Sequence, residues 1–172
     1  GYQPVALNEP MLKGTLVHAA LAATLKGADV AQAMAKVVLE EVTTLRKAKK
    51  ADEEAKLPGL LKAAESAFAR YSSQGWFKEF EPLRVEERLS TIAPNGVTIT
   101  GKPDAIGMWR GKRSVLELKT GRDPDVYSLD ASGQSDFYGF LVERTTGTSP
   151  TMAILDIAGD SYTTRFPRPL RM

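Results

Sequence analysis

The segment Val115–Gly121, read as VLELKTG, carries the residues best suited to chemistry. Its apolar residues predict a buried β-strand, yet Glu117 and Lys119 interrupt that pattern two positions apart. Alternate residues of a strand point to the same face, so a carboxylate and an ammonium group stand side by side. A solvent-facing edge of a sheet is the commoner origin of such a pair, so the pair needs support from elsewhere in the chain.

A second carboxylate, Asp104, follows Pro103 in the preceding predicted strand, with a short turn between the two strands. Neighbouring strands can bring such residues within a few ångströms, and two facing carboxylates repel unless a cation or a proton lies between them. Oxygen ligands with open water positions suit Mg²⁺ or Mn²⁺. Lys119 can orient or deprotonate a water, or stabilise charge on a phosphate. The set predicts metal-assisted hydrolysis of a phosphodiester, with a turn residue after proline as the alternative for Asp104.

The elements that must position these residues change in type near residue 80. Asn8 and Asp29 are placed to cap helices, and Gly residues follow the first and third helical patterns. The patterns predict helices over 8–27, 29–50, 57–75 and 134–147, and strands over 83–93, 97–109, 114–120, 151–158 and 161–166. The order ααα-βββ-α-ββ predicts an α/β fold, bordering on α+β, with a central mixed β-sheet flanked by helices. A single domain over 1–172 is expected, with a helical part at 8–75 and a catalytic part at 78–166.

Composition excludes several classes of protein. The chain has 172 residues, no Cys and a net charge of +2. Disulfides, thiolate catalysis and Cys-ligated iron–sulfur clusters are therefore excluded, and the weak positive charge does not by itself indicate a nucleic-acid binder. No apolar run approaches the ~20 residues of a membrane span, and no signal peptide is visible, so a cytoplasmic protein is expected. The sequence contains no P-loop motif, so it gives no sign of a helicase motor.

The run GKPDAIGMWRGKRSVLELKTG resembles the core of the PD-(D/E)XK nuclease superfamily. Its PD is Pro103-Asp104, and its ExK is Glu117-Leu118-Lys119. The Lys-Thr-Gly ending resembles one branch, which holds the nuclease domains of the RecB and AddAB helicase–nucleases and their stand-alone phage and CRISPR-associated relatives. The resemblance runs from Gly14 to Tyr138 through four motifs in order, and it implies a restriction-endonuclease-like core.

The first further mark of that branch is a histidine in an N-terminal helix, in a pattern like G-x-x-x-H. Here GTLVHAAL places Gly14 four residues before His18, which is the one histidine of the chain. A lone histidine on an apolar helical face is ordinarily a hydrogen-bonded core residue. The resemblance implies instead that His18 joins Asp104 and Glu117 as a metal ligand, with the backbone carbonyl of Leu118 as a fourth ligand.

The second mark is Q-x-x-x-Y in the helix after the ExK strand, where QSDFYGF supplies Gln134 and Tyr138. At i and i+4 they share a helical face, while Phe137, Phe140 and Leu141 are expected to turn towards the core. An amide and a phenol can donate to phosphate or fix a neighbouring strand. The resemblance thus implies a catalytic set, which comprises Asp104, Glu117, Lys119, Gln134 and Tyr138.

An acidic residue before the Asp104 strand is a further candidate. Glu86 and Glu87 are predicted to lie on one strand and to point to opposite faces, so at most one faces the site. Glu86 directly follows Val85, as the family's Val-Glu pair does, and a solvated glutamate is the alternative.

Basic and aromatic residues supply candidate contacts to DNA. The basic candidates are Arg46, Lys47, Lys49, Lys50, Lys102, Arg110, Lys112, Arg113, Arg122, Arg165, Arg168 and Arg171. The cluster at 46–50 precedes three acidic residues, so its net field is small and a solvated helix end explains it equally well. Trp76, Phe77 and Tyr127 can stack on bases, with core packing as the alternative for the first two.

Together these features predict a DNA nuclease that uses one or two Mg²⁺ or Mn²⁺ ions and no iron–sulfur cluster. The resemblance implies an exonuclease of recombination, repair or phage DNA processing. It would act on single-stranded DNA or duplex ends, alone or with a separate recombination or helicase protein. The alternatives are a non-catalytic DNA-binding or scaffold subunit of the same fold, against which the intact Asp104, Glu117 and Lys119 speak, and an unrelated α/β binding protein.

Overall fold

The computed structural model of the protein describes residues 6–121 and 133–171. The chain divides into two compact units, Gly1–Tyr71 and Ser72–Met172. This division falls close to the predicted boundary between a helical part and a catalytic part. A single nuclease domain over residues 1–172 stays a prediction.

The first unit is helical. Its helices are α1 (Glu9–Leu25), α2 (Val30–Lys47), α3 (Ala51–Glu54) and α4 (Leu57–Ser72), the last of which reaches the second unit. Asn8 Oδ1 accepts the Met11 N–H at 3.1 Å, and Asp29 Oδ1 accepts the Gln32 N–H at 2.9 Å, so both predicted caps are confirmed. The short α3 contains the three acidic residues that follow the basic cluster at 46–50. They lie in its first turn, where their negative charge interacts favourably with the positive end of the helix dipole.

The second unit begins with a 3₁₀ turn at Trp76–Glu79 and continues as a sheet with one long helix. Its strands are β1 (Phe80–Val85), β2 (Leu89–Ile92), β3 (Thr98–Gly101), β4 (Ala105–Trp109), β5 (Lys112–Gly121), β6 (Met152–Gly159) and β7 (Thr163–Pro169), and α5 spans Gln134–Thr146. Among the described residues, the main sheet has the order β1-β4-β5-β6-β7, and β2-β3 forms a separate hairpin. Only β5 and β6 pair in parallel in that sheet, so the predicted mixed α/β architecture is confirmed.

Two of the predicted strands are each divided into two. The predicted strand over 83–93 ends at Val85 and resumes at Leu89, and the one over 97–109 is broken between Gly101 and Ala105. Glu86 has a φ of 53°, which no strand residue adopts, and Pro103 has no N–H for a ladder. These breaks separate the β2-β3 hairpin from the main sheet.

The core of this unit joins three layers. Leu89 of the hairpin, Ile106 and Val115 of the sheet, and Leu141 and Val142 of α5 form one buried cluster. Because β5 and β6 are parallel, the chain must cross from the end of one to the start of the other, and α5 lies in that crossover. The start of α5 is therefore held close to the end of β5. No helix within the described ranges is both long and apolar enough to cross a lipid bilayer.

Candidate active site

Asp104 and Glu117 face each other at the junction of β4 and β5. The β4–β5 ladder pairs Ala105 with Leu116, so its next step sets Asp104 opposite Glu117. Asp104 Oδ2 accepts the Leu118 N–H at 2.6 Å, which holds that carboxylate across the strand pair. Both side chains are buried, with 9% of Asp104 and 5% of Glu117 exposed. The predicted approach of two carboxylates on neighbouring strands is thus present in the structure.

The electrostatic state of Glu117 follows from this burial. Loss of hydration disfavours its charge, the Asp104 carboxylate adds repulsion, and Lys119 opposes both effects only in part. The net result raises the pKa of Glu117 to about 8. Its Oε1 atom is buried and accepts no hydrogen bond from any residue that the structure describes. An anionic oxygen in that position needs a cation or a proton.

Lys119 lies beside Glu117 and is held by a chain of polar groups. Its Nζ is 3.6 Å from Glu117 Oε2, and it donates a hydrogen bond to Gln134 Oε1. Gln134 Nε2 in turn donates to the Tyr138 hydroxyl at 3.2 Å. The first turn of α5 therefore fixes the direction of the ammonium group towards the carboxylate pair.

Tyr138 is itself held between α5 and the hairpin. A Cβ on Gly101 would lie 2.8 Å from a ring carbon of Tyr138 and 2.6 Å from a methyl of Leu141, so only glycine fits this close approach. Burial raises the pKa of the Tyr138 phenol, and the Glu117 carboxylate adds to the effect, so the hydroxyl stays protonated at neutral pH. Gln134 and Tyr138 thus lie within one hydrogen-bonded set with Lys119, where the sequence predicted contacts to phosphate.

Glu86 is not placed as predicted. It lies beyond the end of β1, so Glu86 and Glu87 do not alternate on a strand, and that expectation was wrong. The Glu86 N–H donates to the Asp104 carbonyl at 2.9 Å, and its carboxylate accepts from Lys102 Nζ at 3.2 Å. Glu87 pairs instead with Arg84 at 2.8 Å. Glu86 therefore supports the Asp104 backbone, and its role as an additional site carboxylate stays a prediction.

His18 and the Leu118 carbonyl are the remaining predicted metal ligands. His18 is half-buried on α1, one turn after the buried Gly14, within the helical unit. No group of three or more His, Asp or Glu side chains in residues 6–121 and 133–171 is arranged to hold a metal ion. Asp104 and Glu117 form a pair, and the ligand roles of His18 and of the Leu118 carbonyl stay predictions.

The donor set fits a divalent cation on chemical grounds. It offers two buried carboxylates, one of which has an oxygen without a hydrogen-bond donor among the described residues. Hard oxygen ligands of this kind suit Mg²⁺ and Mn²⁺. Full ionisation of Asp104 and Glu117 beside Lys119 leaves a net negative charge, which favours a bound cation.

Five of the twelve predicted DNA-binding cations form ion pairs within the described part of the protein. Arg46 pairs with Glu54, Arg165 with Asp156, Arg168 with Asp136, Arg110 with Glu79, and Lys102 with Glu86. The expectation that Arg165 and Arg168 serve phosphates is wrong, because both guanidinium groups are largely buried in these ion pairs. The Arg46–Glu54 pair agrees with the small net field predicted for its cluster. Arg122 lies outside the described residues.

The aromatic residues agree with expectation only in part, since a packing role was the alternative given for Trp76. The Arg165 guanidinium carbon lies over the Trp76 ring, 4.9 Å from the ring centroid. This contact gives Trp76 a structural role. Tyr127 lies outside the described residues. Phe137 and Phe140 were expected to face the core, yet they are 39% and 41% exposed, whereas Leu141 is fully buried as expected. The β2-β3 hairpin covers the other side of α5, so the helix turns this pair outward.

Comparison with known families and structures identifies the group to which this site belongs. The sequence profile of the PD-(D/E)XK nuclease superfamily matches residues 3–166. The chain belongs to the PD-(D/E)XK nuclease superfamily. The assignment of Asp104, Glu117 and Lys119 to its PD and ExK motifs stays a prediction. No curated protein matches the sequence significantly.

Solved structures resemble the chain in fold at low sequence identity. A protein from Eubacterium rectale, provisionally described as an exonuclease, aligns with a TM-score of 0.57 and 14% identity over 99% of this chain and 61% of its own. A protein named SSO0001 aligns with a TM-score of 0.45 and 18% identity over 77% of this chain and 63% of its own. The chain therefore spans about three fifths of the length of each of these proteins.

Proposed function

We propose that this member of the nuclease superfamily is a Mg²⁺- or Mn²⁺-dependent deoxyribonuclease of the exonuclease type, from the RecB-like branch. The observation that carries the proposal is the buried Oε1 of Glu117, which lacks a hydrogen-bond donor in the described part of the chain and faces a second carboxylate. A role in recombination, repair or phage DNA processing, in the cytoplasm of a bacterial or phage-infected cell, rests on the resemblance to that branch.

Asp104 and Glu117 would hold the cation, with His18 and the Leu118 carbonyl as the further ligands that the family motif assigns. One or two bound ions would supply a Lewis acid and a water of lowered pKa. The Glu117 carboxyl, whose pKa lies near 8 without a cation, gives up its proton more readily when positive charge is close. The carboxylate pair would therefore release a proton when a metal ion binds.

Lys119 would be the residue of the protein that assists the attacking water and stabilises charge on the phosphate. Its ammonium group, 3.6 Å from Glu117, can orient the attacking water and stabilise the negative charge that develops on the phosphate. Gln134 prevents that group from rotating away, and Tyr138 fixes the Gln134 amide. Because a misplacement of about 1 Å can lower a rate by about 10²-fold, this support matters for turnover.

The exonuclease assignment draws on the Eubacterium rectale protein, whose description as an exonuclease accompanies a fold likeness over 99% of this chain. The DNA substrate is supported by the superfamily match over residues 3–166. A recombination or helicase protein as a further partner rests on the resemblance to the RecB-like branch alone.

The test compares two forms of one DNA in the presence of Mn²⁺. Linear end-labelled DNA should be degraded from its ends, while the covalently closed circle of the same sequence should persist. Glu117→Ala and Lys119→Ala should both remove degradation, whereas Lys62→Ala, at an exposed lysine of α4, should retain it.

Three results would count against the proposal. Wild-type protein that stays inert on single-stranded, duplex and nicked DNA with Mn²⁺ would exclude a nuclease. If that inert protein bound DNA equally well in EDTA, and gave no heat with Mn²⁺, the non-catalytic DNA-binding subunit would be the better assignment. Equal cleavage of the circle and the linear form would replace the exonuclease by an endonuclease.

A further inference from the structure

A stripe of exposed residues runs along α5 beside the site. Phe137, Phe140 and Arg144 follow one another at i, i+3 and i+7, so they lie on one face of the helix. The two phenylalanine side chains are 39% and 41% exposed, and Arg144 is exposed. The exposed part of both rings is available to a ligand that approaches this face of the helix.

Phe137 lies directly outside the hydrogen-bonded set that holds Lys119. It follows Gln134 by three residues, which places both in the first turn of α5. Its ring centroid is 5.8 Å from that of Tyr138, with an angle of 45° between the rings. Tyr138 faces the hairpin at Gly101, whereas Phe137 faces outward. Phe137 is therefore one helical turn from the residue that holds the Lys119 ammonium group.

The chemistry of that ring suits a nucleobase. Aromatic side chains stack on every base because each base has a π-face, and exposed cations nearby follow the phosphate backbone. Arg144 supplies such a cation two turns along the same face. Phenylalanine has no hydrogen-bonding group, so stacking on it does not select a sequence. Bases inside a duplex are stacked on each other, so only an unpaired base can reach the ring.

We propose that Phe137 stacks on an unpaired base next to the phosphodiester bond that the site hydrolyses. The site then takes single-stranded DNA, or a frayed duplex end, in preference to closed duplex. This inference rests on the proposed nuclease function and names the form of DNA that the same site accepts.

The experiment measures binding without cleavage. A fluorescently labelled oligo-dT strand is titrated with protein in EDTA, beside a matched strand in which the bases are replaced by abasic sites. Phe137→Ala and Phe137→Leu should each weaken binding of oligo-dT by about 5- to 100-fold, and Phe137→Trp should retain it. On the abasic strand all four proteins should bind alike. Ile92→Ala removes another exposed apolar side chain, 65% exposed on β2, and should change binding by less than about twofold.

Each other outcome overturns the proposal. Retention of binding by Phe137→Leu would indicate a plain apolar contact, and an equal loss on the abasic strand would indicate a change in the protein rather than lost stacking. Unaltered binding by Phe137→Ala, or no binding of oligo-dT by the wild type, would remove the stacking role. If the wild type still degrades linear DNA with Mn²⁺, the nuclease proposal stands without the stacking role of Phe137. If it does not, the nuclease proposal itself fails.

Discussion

Two buried carboxylates on neighbouring strands of the sheet have opposite surroundings. Asp156 of β6 is fully buried and receives two hydrogen bonds from Arg165, from Nε at 2.7 Å and from Nη2 at 2.6 Å. Glu117 of β5 is 5% exposed, and within the described residues its Oε1 receives none. Asp156 pairs with Leu118 in the β5–β6 ladder, so it and Glu117 point to opposite faces of the sheet.

The difference separates a carboxylate that is satisfied within the protein from one that is not. A buried carboxylate that an arginine holds through both oxygens needs nothing more, and Arg165 is further fixed over the Trp76 ring at 4.9 Å. Glu117 has a second carboxylate as its neighbour and a lysine at 3.6 Å, so its charge is only partly compensated. On the proposed function, Glu117 would bind a cation, and the protein without that cation would be less stable for the uncompensated charge.

Removal of the satisfied carboxylate should have the largest effect on stability. Asp156→Ala leaves the buried Arg165 guanidinium without its partner, so the free energy of unfolding should fall by about 3–5 kcal/mol. Urea denaturation of the variant measures this, with the exposed Glu81→Ala on β1 as control. A loss below about 1 kcal/mol would mean that the ion pair is not what holds β6 and β7 together. The activity of the folded variant should remain.

Removal of the support for Lys119 should separate catalysis from binding. Gln134→Ala frees the ammonium group to rotate, so kcat should fall by about 10- to 100-fold while KM changes little. Steady-state kinetics on linear DNA with Mn²⁺ measures both constants. A rise in KM at constant kcat would instead assign Gln134 to DNA binding, as the sequence first suggested.

In the absence of metal, replacing Glu117 with a neutral residue should stabilise the protein, whereas replacing Asp156 should destabilise it. The Glu117 pKa is 4.5 in the unfolded chain and about 8 in the folded protein, so its favourable contribution is complete below about pH 4.5 and is lost as the pH rises through 8. Glu117→Gln carries no titratable group there. In EDTA, the free energy of unfolding of the variant relative to that of the wild type should therefore rise by more than about 1 kcal/mol between pH 4 and pH 8.5.

Thermal unfolding across that pH range, in EDTA, measures the gain. A difference in Tm between variant and wild type that does not change with pH would show that Glu117 is not held neutral by its surroundings. Mn²⁺ should raise the Tm of the wild type and leave that of Glu117→Gln unchanged.

The smallest expected effect is at the outer end of the polar chain. Tyr138→Phe removes the acceptor for the Gln134 amide but leaves the ring that packs against Gly101. We expect kcat to fall less than tenfold, which is smaller than the effect of Gln134→Ala. Kinetic constants of the two single variants and the double variant measure the coupling. Additive effects would mean that Tyr138 does not act through Gln134.

The sequence predicted those parts of the fold that depend on local signals. The caps at Asn8 and Asp29, and the meeting of Asp104 with Glu117 across a short turn, follow from the residues near each position. The break at Glu86 was missed because a φ of 53° at a glutamate has no sequence signal. The Asp156–Arg165 and Asp136–Arg168 pairs were missed because they depend on strand register and on where α5 packs.

The outward position of Phe137 was missed for a similar reason. Its helix is apolar on more than one side, so periodicity does not tell which side the β2-β3 hairpin covers. The branch assignment, His18 as a ligand and the metal itself stay predictions, since they rest on the family motifs rather than on a contact in the structure.

Calorimetric titration with Mn²⁺ tests the central claim most directly, namely that the Asp104–Glu117 pair binds a divalent cation. The wild-type protein at pH 7 should give a saturable binding heat accompanied by release of the Glu117 proton, seen as a dependence of the heat on the buffer. Glu117→Gln should give neither. Equal Mn²⁺ binding by the wild type and Glu117→Gln would contradict the account, because the unsatisfied carboxylate would then have no part in holding the metal.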